Sequence, residues 1–417
     1  MKKSIHASAV NGTLPAPASK SVAQRAIIAA LLAPGVSTLH RLTACDDAFA
    51  AIRVARDLGA TVELSGSCCT VASAFPPPPG PRVLHCGESG LLARLIAPVA
   101  ALLPGETRIE GRGSLLARPF DMVAASLRQL GAVVTSNNGR LPLTLQGPID
   151  GGRANIDGSI SSQLLTGLLV ALPLAPENSE LLVADLKSKP YIDLTIDLLR
   201  AFGVEIHHRD YNHFIIPGRQ TYRPASYNIA GDWSGASCLV VAGCIAGQVT
   251  VTNLDPDSPQ ADKAILEVAR RAGARVTVDR DAVTASTPPR LSAFDFDATE
   301  SPDLFPAIVA LAACCEGVSN IAGARRLAHK ESNRALTLQQ EYAKLGVRVE
   351  LSDDVMRVEG GPILPAEVSS RDDHRIAMSL ATAALRSEGV VAIDGAESVS
   401  KSYPHFWDDL ARLQAHP

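Results

Sequence analysis

A short phrase recurs along the chain at nearly even steps, and this period constrains the fold more than any other feature. In "RDLGATVEL", "RQLGAVV", "RAFGVEI", "RRAGARVTV" and "AKLGVRVEL" a helix end meets a glycine and then an alternating strand. The glycines are Gly59, Gly131, Gly203, Gly273 and Gly346, at steps of 72, 72, 70 and 73 residues. Glycine suits the left-handed residue that ends a helix, and the β-branched alternation after it suits a half-buried strand. A second phrase keeps step with the first: "APGVSTLHRL", "LPGETRIEGR", "APENSELLVADL", "IAGQVTVTNL", "CEGVSNIAGA" and "SEGVVAIDGA" each close an apolar helix and open a strand. Gly35, Gly105, Gly247, Gly317 and Gly389 mark five copies, and Asn178 stands in the third. Six units of about 70 residues therefore fill the 417-residue chain.

Each unit reads helix, strand, polar loop, second helix, glycine, strand, which is an α/β class. The sixth second helix, "YPHFWDDLARLQ", runs out where its glycine falls due, so its missing strand is expected from the N-terminal "KSIHASAV". That exchange brings both chain ends into one domain. Three units per domain place one domain at 19–227 and the other at 228–417 together with 1–18, joined by the polar "PGRQTYRPAS". A chain this long exceeds one ordinary core, and its 46% hydrophobic content fills two. With only 4% aromatic residues, those cores must be built from Ala, Val, Leu and Ile.

A net charge of −4 supplies no global basic field of the kind nucleic-acid binders use, so any anion site must be local. The eight cysteines show neither a CxxC pair nor a Cys/His metal spacing, and the adjacent pairs Cys68–Cys69 and Cys314–Cys315 are poor disulfide partners. They read as small thiols in a reducing compartment. "MKKSIHASAV" lacks the apolar stretch of a signal peptide. The most apolar run, "LLTGLLVALPLA", falls short of the roughly 20 residues a membrane span needs and contains Pro173. The expectation is a soluble, cytoplasmic monomer with no membrane or nucleic-acid partner.

The first helix of each unit opens on small polar residues: "SKSVAQR", "ESGLLAR", "SSQLL", "WSGAS", "SPDLF" and "DDHRI". Serine and aspartate there cap free backbone N–H groups. A helix N-terminus with a basic side chain one turn in also makes an anion site. Ser21 and Arg25 stand i, i+4 on one face, and Gly90 and Arg94 repeat that spacing where a glycine lets a ligand approach the backbone. The polar loops add cations: Arg118 in "LLARPF", Lys189 in "KSKPY", Lys330 and Arg334 in "AHKESNR", Lys401 in "SVSKSYP", and His374 and Arg375 in "DDHR". A single loop cation is ordinarily a solvated charge. Cations at repeated positions suit ligands rich in phosphate and carboxylate.

With these fragments in order, the chain resembles the 5-enolpyruvylshikimate-3-phosphate synthases of the enolpyruvyl (carboxyvinyl) transferase family. The resemblance covers almost the whole chain and rests on "PASKSVAQRA", "CGESGLLARL", "GRGSLLARPF", "DGSISSQLLTGLL", "KSKPYIDLT", "SPDLFPAIVALAA", "HKESNRA", "DDHRIAMSLA" and "SKSYPHFWDDL". It implies a two-domain inside-out α/β barrel of six βαβαββ-type repeats, three per domain. It also implies transfer of the enolpyruvyl group from phosphoenolpyruvate to the 5-hydroxyl of shikimate 3-phosphate by addition and elimination, without a metal or organic cofactor. Carried over by position, Asp303 is the base on the 5-hydroxyl, and Lys20 and Glu331 handle the proton at the methylene carbon. Lys20, Ser21, Arg25, Ser161, Ser162, Gln163, Ser188, Tyr191, Asp303 and Lys330 fall to shikimate 3-phosphate. Lys20, Gly90, Arg118, Gln163, Arg334, Arg375 and Lys401 fall to phosphoenolpyruvate. The family's hinge leads us to expect the domains to close on the shikimate ligand.

The chain departs from the family pattern at several points. Glu88 and Leu91 replace the amide and threonine of the frequent "GNSGT" or "GNAGT", Arg326 replaces a common Asn, and Ser332–Asn333 replaces "TD". A sister activity on UDP-N-acetylglucosamine shares fold and phosphoenolpyruvate but typically places Cys, sometimes Asp, five residues before the "ARP" arginine. Gly113 occupies that position here. A non-catalytic anion-binding paralogue is a further alternative, and it predicts damage at Lys20, Asp303 or Glu331.

Overall fold

The computed structural model describes residues 1–414, the side chain of His329 excepted, and places them in two compact units. One comprises 20–229 and the other 1–19 with 230–414. Twelve α-helices run through them: α1 (Lys20–Leu32), α2 (Asp46–Asp57), α3 (Gly90–Ala101), α4 (Asp121–Gln129), α5 (Gln163–Ala171), α6 (Pro190–Ala201), α7 (Trp233–Ala246), α8 (Ile265–Arg271), α9 (Phe305–Ala312), α10 (Arg334–Lys344), α11 (His374–Ala384) and α12 (Phe406–Gln414). Odd- and even-numbered helices differ in kind. Helices α3, α7, α9 and α11 are buried along their whole length but for the last residue of α7, and α1 exposes only Ser21. A helix apolar all round has to sit inside a core. The even-numbered helices bury one stripe, as α8 does with Ile265, Leu266, Val268 and Ala269, and they cover the outside.

The sheets repeat one plan. In the unit 20–229, Arg82–His85 pairs in parallel with Gly105–Glu110, which pairs antiparallel with Arg140–Gly147, which pairs antiparallel with Val133–Asn137 at the edge. Two more four-stranded sheets in this unit keep that order, and Ser226–Asn228 closes the set by returning to lie parallel to Gly35–His40. Each edge strand follows a helix that ends on one of the periodic glycines. Gly59, Gly131, Gly203, Gly273 and Gly346 all hold φ between +80° and +96°, backbone an L side chain rarely adopts. This explains why the period is written in glycine.

In the other unit the N-terminus completes two sheets. Strand β1 (Lys2–Ile5) pairs antiparallel with Val391–Asp394, and β2 (Val10–Pro15) pairs in parallel with Gly247–Thr252. The N-terminal segment thus joins the sixth unit's sheet as expected, but not at the edge position due after the glycine. The strand due after its glycine is absent among the described residues, and its sheet has three strands instead of four. Segment β1 takes the next position, antiparallel to the sheet's central strand, because that is where unpaired ladder groups of Val391–Asp394 are available. The Met1 amine to Glu397, at 2.7 Å, and Lys2 to Glu367, at 2.6 Å, fix its register. Among the described residues no helix is long and apolar enough to cross a membrane.

Candidate active site

In the unit 20–229, the N-terminal ends of three inner helices meet. Ser89 caps α3 by accepting from Leu92 N and donates its hydroxyl to Gln24 Oε1 of α1 at 2.7 Å. Lys20, the first residue of α1, donates to Asp47 at 3.1 Å, and Gln24 donates to the same carboxylate at 3.3 Å. On the next turn of α1, Arg25 is 2% exposed and donates to Thr195 Oγ1 at 2.9 Å, Thr166 Oγ1 at 3.3 Å and the Ser21 carbonyl at 2.8 Å. Its hydrogen-bond partners are two hydroxyls and a carbonyl, and burial lowers its guanidinium pKa to about 10. It stays cationic at neutral pH, but in a place that an anion would improve.

Gly90 begins α3, and a Cβ there would clash with Nη1 of Arg118 and lie 2.9 Å from Nη1 of Arg94. Any side chain there would make these two guanidinium groups shift. Arg94 itself donates to Gln163 Oε1 and to the Pro119 carbonyl, each at 2.9 Å, and so ties α3 to the start of α5 and to the segment carrying Arg118. Ser161 joins through its hydroxyl, and Ser162, Ser188 and Tyr191 through their carbonyls. Ser161 Oγ accepts from Gln163 N, the Ser162 carbonyl from Thr166 N, the Ser188 carbonyl from Tyr191 N, and the Tyr191 carbonyl from Thr195 Oγ1. Ser188 is buried with φ at +58°. Glu88 accepts from Ser114 Oγ at 3.2 Å, and its carboxylate packs on Gly113, where φ is +54° and a Cβ would stand 2.5 Å from Glu88 Cδ.

The unit comprising 1–19 and 230–414 holds a different cluster. Asp303, in the turn Pro302–Leu304, accepts from Arg334 Nη1 at 2.7 Å, faces Lys330 Nζ at 3.1 Å and accepts from Arg375 Nη2 at 3.3 Å. Arg334, the fully buried first residue of α10, also pairs with Glu331 and donates Nε to Asp373 at 2.7 Å. Asp373 caps α11 through Arg375 N at 3.0 Å, and Arg375 bonds to Ser234 near the start of α7. Lys401 donates to the Asp372 carbonyl at 2.7 Å. Burial would push the Asp303 carboxyl up, but Arg375, Lys330 and Arg334 outweigh it and hold it well below the carboxylate range. Burial drives the Lys330 ammonium down against the pull of Asp303. For Arg334, burial is overcome by Asp373, Glu331 and Asp303, which raise it well above its ordinary value.

The residues singled out in the sequence thus gather into two clusters. Lys20, Ser21, Arg25, Gly90, Arg118, Ser161, Ser162, Gln163, Ser188 and Tyr191 lie in 20–229. Asp303, Lys330, Glu331, Arg334, Arg375 and Lys401 lie in the other unit. The sequence reading missed Asp47, Gln24, Thr166, Thr195, Ser234 and Asp373 as members. Asp373 and Ser89 carried a signal, because they occupy cap positions in the repeated helix starts. Asp232 does the same at α7, accepting from Ser234 N at 3.0 Å.

A family model described as EPSP synthase (3-phosphoshikimate 1-carboxyvinyltransferase) matches residues 5–410. The 3-phosphoshikimate 1-carboxyvinyltransferase of Methanosarcina acetivorans is 40% identical over 423 aligned residues, spanning 99% of this chain and 98% of that one. That of Thermococcus kodakarensis is also 40% identical, over 97% and 98% of the two chains. A solved EPSP synthase of Acinetobacter baumannii aligns at a TM-score of 0.84 and 25% identity, covering 99% and 98%. The enolpyruvyl transferase NikO of Streptomyces tendae, at TM-score 0.78 and 19% identity over 98% and 96%, shares the fold.

Proposed function

The chain belongs to the EPSP synthase family, and from that premise we propose that it transfers the enolpyruvyl group of phosphoenolpyruvate to the 5-hydroxyl of shikimate 3-phosphate, its two clusters dividing the work. The observation that carries this reading is Asp303, an ionised carboxylate embedded among Lys330, Arg334 and Arg375 with Glu331 on the same arginine. A base and a proton donor held inside one cation cluster suit a reaction that deprotonates a hydroxyl, protonates a methylene carbon and then expels phosphate.

The roles follow the chemistry. The 5-hydroxyl gives its proton to Asp303 as its oxygen bonds to C2 of phosphoenolpyruvate, and C3 gains a proton from the Lys20 and Glu331 pair. Elimination returns that carbon's proton to the pair, re-forms the double bond and breaks the C2–O bond to phosphate, which departs with the proton that Asp303 took. With its pKa held low by three cations, Asp303 is a weak base until those cations turn to another anion. The carboxylate and phosphate of phosphoenolpyruvate are such anions for Arg334 and Arg375, and by drawing these two away they raise Asp303 towards its ordinary value. Binding of the second substrate thereby arms the base.

The unit 20–229 supplies the shikimate 3-phosphate side, through Arg25, Ser21, Ser161, Ser162, Gln163, Ser188 and Tyr191. Arg25 has hydroxyl partners and a low pKa for a guanidinium, which suits a phosphate. Lys20, Gly90, Arg118 and Gln163, with Arg334, Arg375 and Lys401, take phosphoenolpyruvate. Against the sugar-nucleotide alternative stands the occupation of Gly113. The Glu88 carboxylate lies where the sister activity's cysteine side chain would project. The protein acts in chorismate and aromatic amino acid biosynthesis, and we expect a cytoplasmic monomer. The test is phosphate release from phosphoenolpyruvate with each acceptor. Release is expected with shikimate 3-phosphate and absent with UDP-N-acetylglucosamine; release only with the latter, or with neither, overturns the assignment.

A further inference from the structure

Helix α10 carries a buried carboxylate that the reaction does not use. Glu341 is fully buried, lies seven residues after Arg334 and therefore shares its helix face, about 10 Å further along the axis. Its Oε2 accepts from Ser369 N at 2.9 Å and Lys344 Nζ at 2.6 Å, and its Oε1 accepts from Arg371 Nε at 3.1 Å. Arg334 grips Asp373, at the far end of the same turn. One helix thus holds both ends of the segment Ser369–Asp373.

That segment is held in costly backbone. Arg371 and Asp372 are consecutive non-glycine residues at φ +50° and +57°. Within it, Ser369 Oγ accepts from Arg371 N, Ser370 Oγ accepts from Asp372 N, and Ser370 Oγ donates to the Gly395 carbonyl at 2.9 Å. The turn presents two acceptors to two cations: the Asp372 carbonyl to Lys401 at 2.7 Å and the Asp373 carboxylate to Arg334.

We propose that Glu341 is a positioning residue whose carboxylate holds this left-handed turn, and so sets Lys401 and Arg334 for phosphoenolpyruvate. The inference rests on the functional reading above for the role of those two cations. Loss of the brace lets residues 371–372 relax to ordinary backbone, moving the Asp372 carbonyl and Asp373 together.

The test compares the wild type with Glu341→Ala, Glu341→Gln and the double variant Glu341→Ala/Asp372→Gly. Glu341→Ala is expected to raise KM for phosphoenolpyruvate about tenfold and KM for shikimate 3-phosphate less than about twofold. Glutamine keeps an acceptor for Ser369 N, so its effect is smaller. Glycine at 372 adopts positive φ without a Cβ penalty and keeps the carbonyl, so the double variant recovers most of the lost affinity. Equal rises in both KM values, or no recovery by glycine in a folded protein, overturn the proposal. Hydrogen exchange at the amides of 369–373 reads the brace independently of activity. Faster exchange confined to this turn in Glu341→Gln supports it, even should Glu341→Ala fail to fold or the acceptor prove different; unchanged exchange sinks it.

Discussion

The two cation clusters solve the same problem, a buried guanidinium, in opposite ways. Arg25 is surrounded by Thr166, Thr195 and a main-chain carbonyl, and burial pulls its pKa down. Arg334 is gripped by Asp303, Glu331 and Asp373, and its pKa is driven up. Around Arg25 the first cluster is electrostatically unfinished and gains from an incoming anion. The second is balanced in advance, so an incoming anion must displace carboxylates and in doing so changes their basicity. A site for holding phosphate and a site for moving protons differ in this way even when both are built from arginines.

The comparison breaks most visibly at Asp303. Asp303→Ala is expected to lower kcat about 10²- to 10⁴-fold, the range for a lost acid–base group. Because it also frees Lys330 and Arg375, KM for phosphoenolpyruvate should not rise. Steady-state kinetics with each substrate varied would show this, and unchanged turnover with weakened binding would reduce Asp303 to a helix-start residue.

Methionine substitutions sharpen the contrast in the ligand-free protein. Arg334→Met takes a guanidinium from Glu331 and Asp373, while Asp303 keeps Lys330 and Arg375, and should cost about 3–5 kcal/mol of stability, as breaking a buried ion pair does. Arg25→Met removes a cation that has no carboxylate among its hydrogen-bond partners, so denaturant unfolding should show a change of less than about 1 kcal/mol, with either sign. Equal losses would erase the distinction drawn here.

Ligand stabilisation gives a smaller signal. Shikimate 3-phosphate at about 100 times its Kd should add about 2.7 kcal/mol to the wild type and almost nothing to Arg25→Met. Thermal shift assays with and without the ligand measure the difference.

The smallest effect is the pH dependence of stability. The folded-state pKa of Asp303 is depressed, so its stabilising contribution is present above the unfolded value of about 3.9 and fades as pH falls through the folded one. The stability advantage of wild type over Asp303→Asn should therefore hold at neutral pH and shrink below about pH 4. An advantage that grows on acidification would contradict the charge assignment.

Much of the fold was legible because its period is written in residues with a backbone reason. Gly131 or Gly203 marks a helix end that no side-chain-bearing residue adopts cheaply, so sequence and geometry coincide. In the sixth unit the N-terminal segment was rightly expected in the sheet, but its place beside the central strand was not legible, because strand order depends on which ladder groups are open and nothing in "KSIHASAV" encodes that. Within the site, the cations stood out by their repeated positions. Most of their partners did not: Gln24 meets Ser89 across 65 residues and Arg25 meets Thr195 across 170, whereas Gln163, the partner of Arg94 across 69, was named through the family resemblance. Threonine and glutamine at such distances look like any polar residue of a core helix. Glu341 was silent for the same reason, being an ordinary acid on an amphipathic helix until its contacts to Ser369 and Arg371 are seen.

The most direct measurement is calorimetric titration of shikimate 3-phosphate, without phosphoenolpyruvate, into Arg25→Met and Asp303→Asn. The division of labour predicts binding lost in Arg25→Met and kept within about threefold in Asp303→Asn. Binding retained by the arginine variant and lost by the aspartate variant would contradict it.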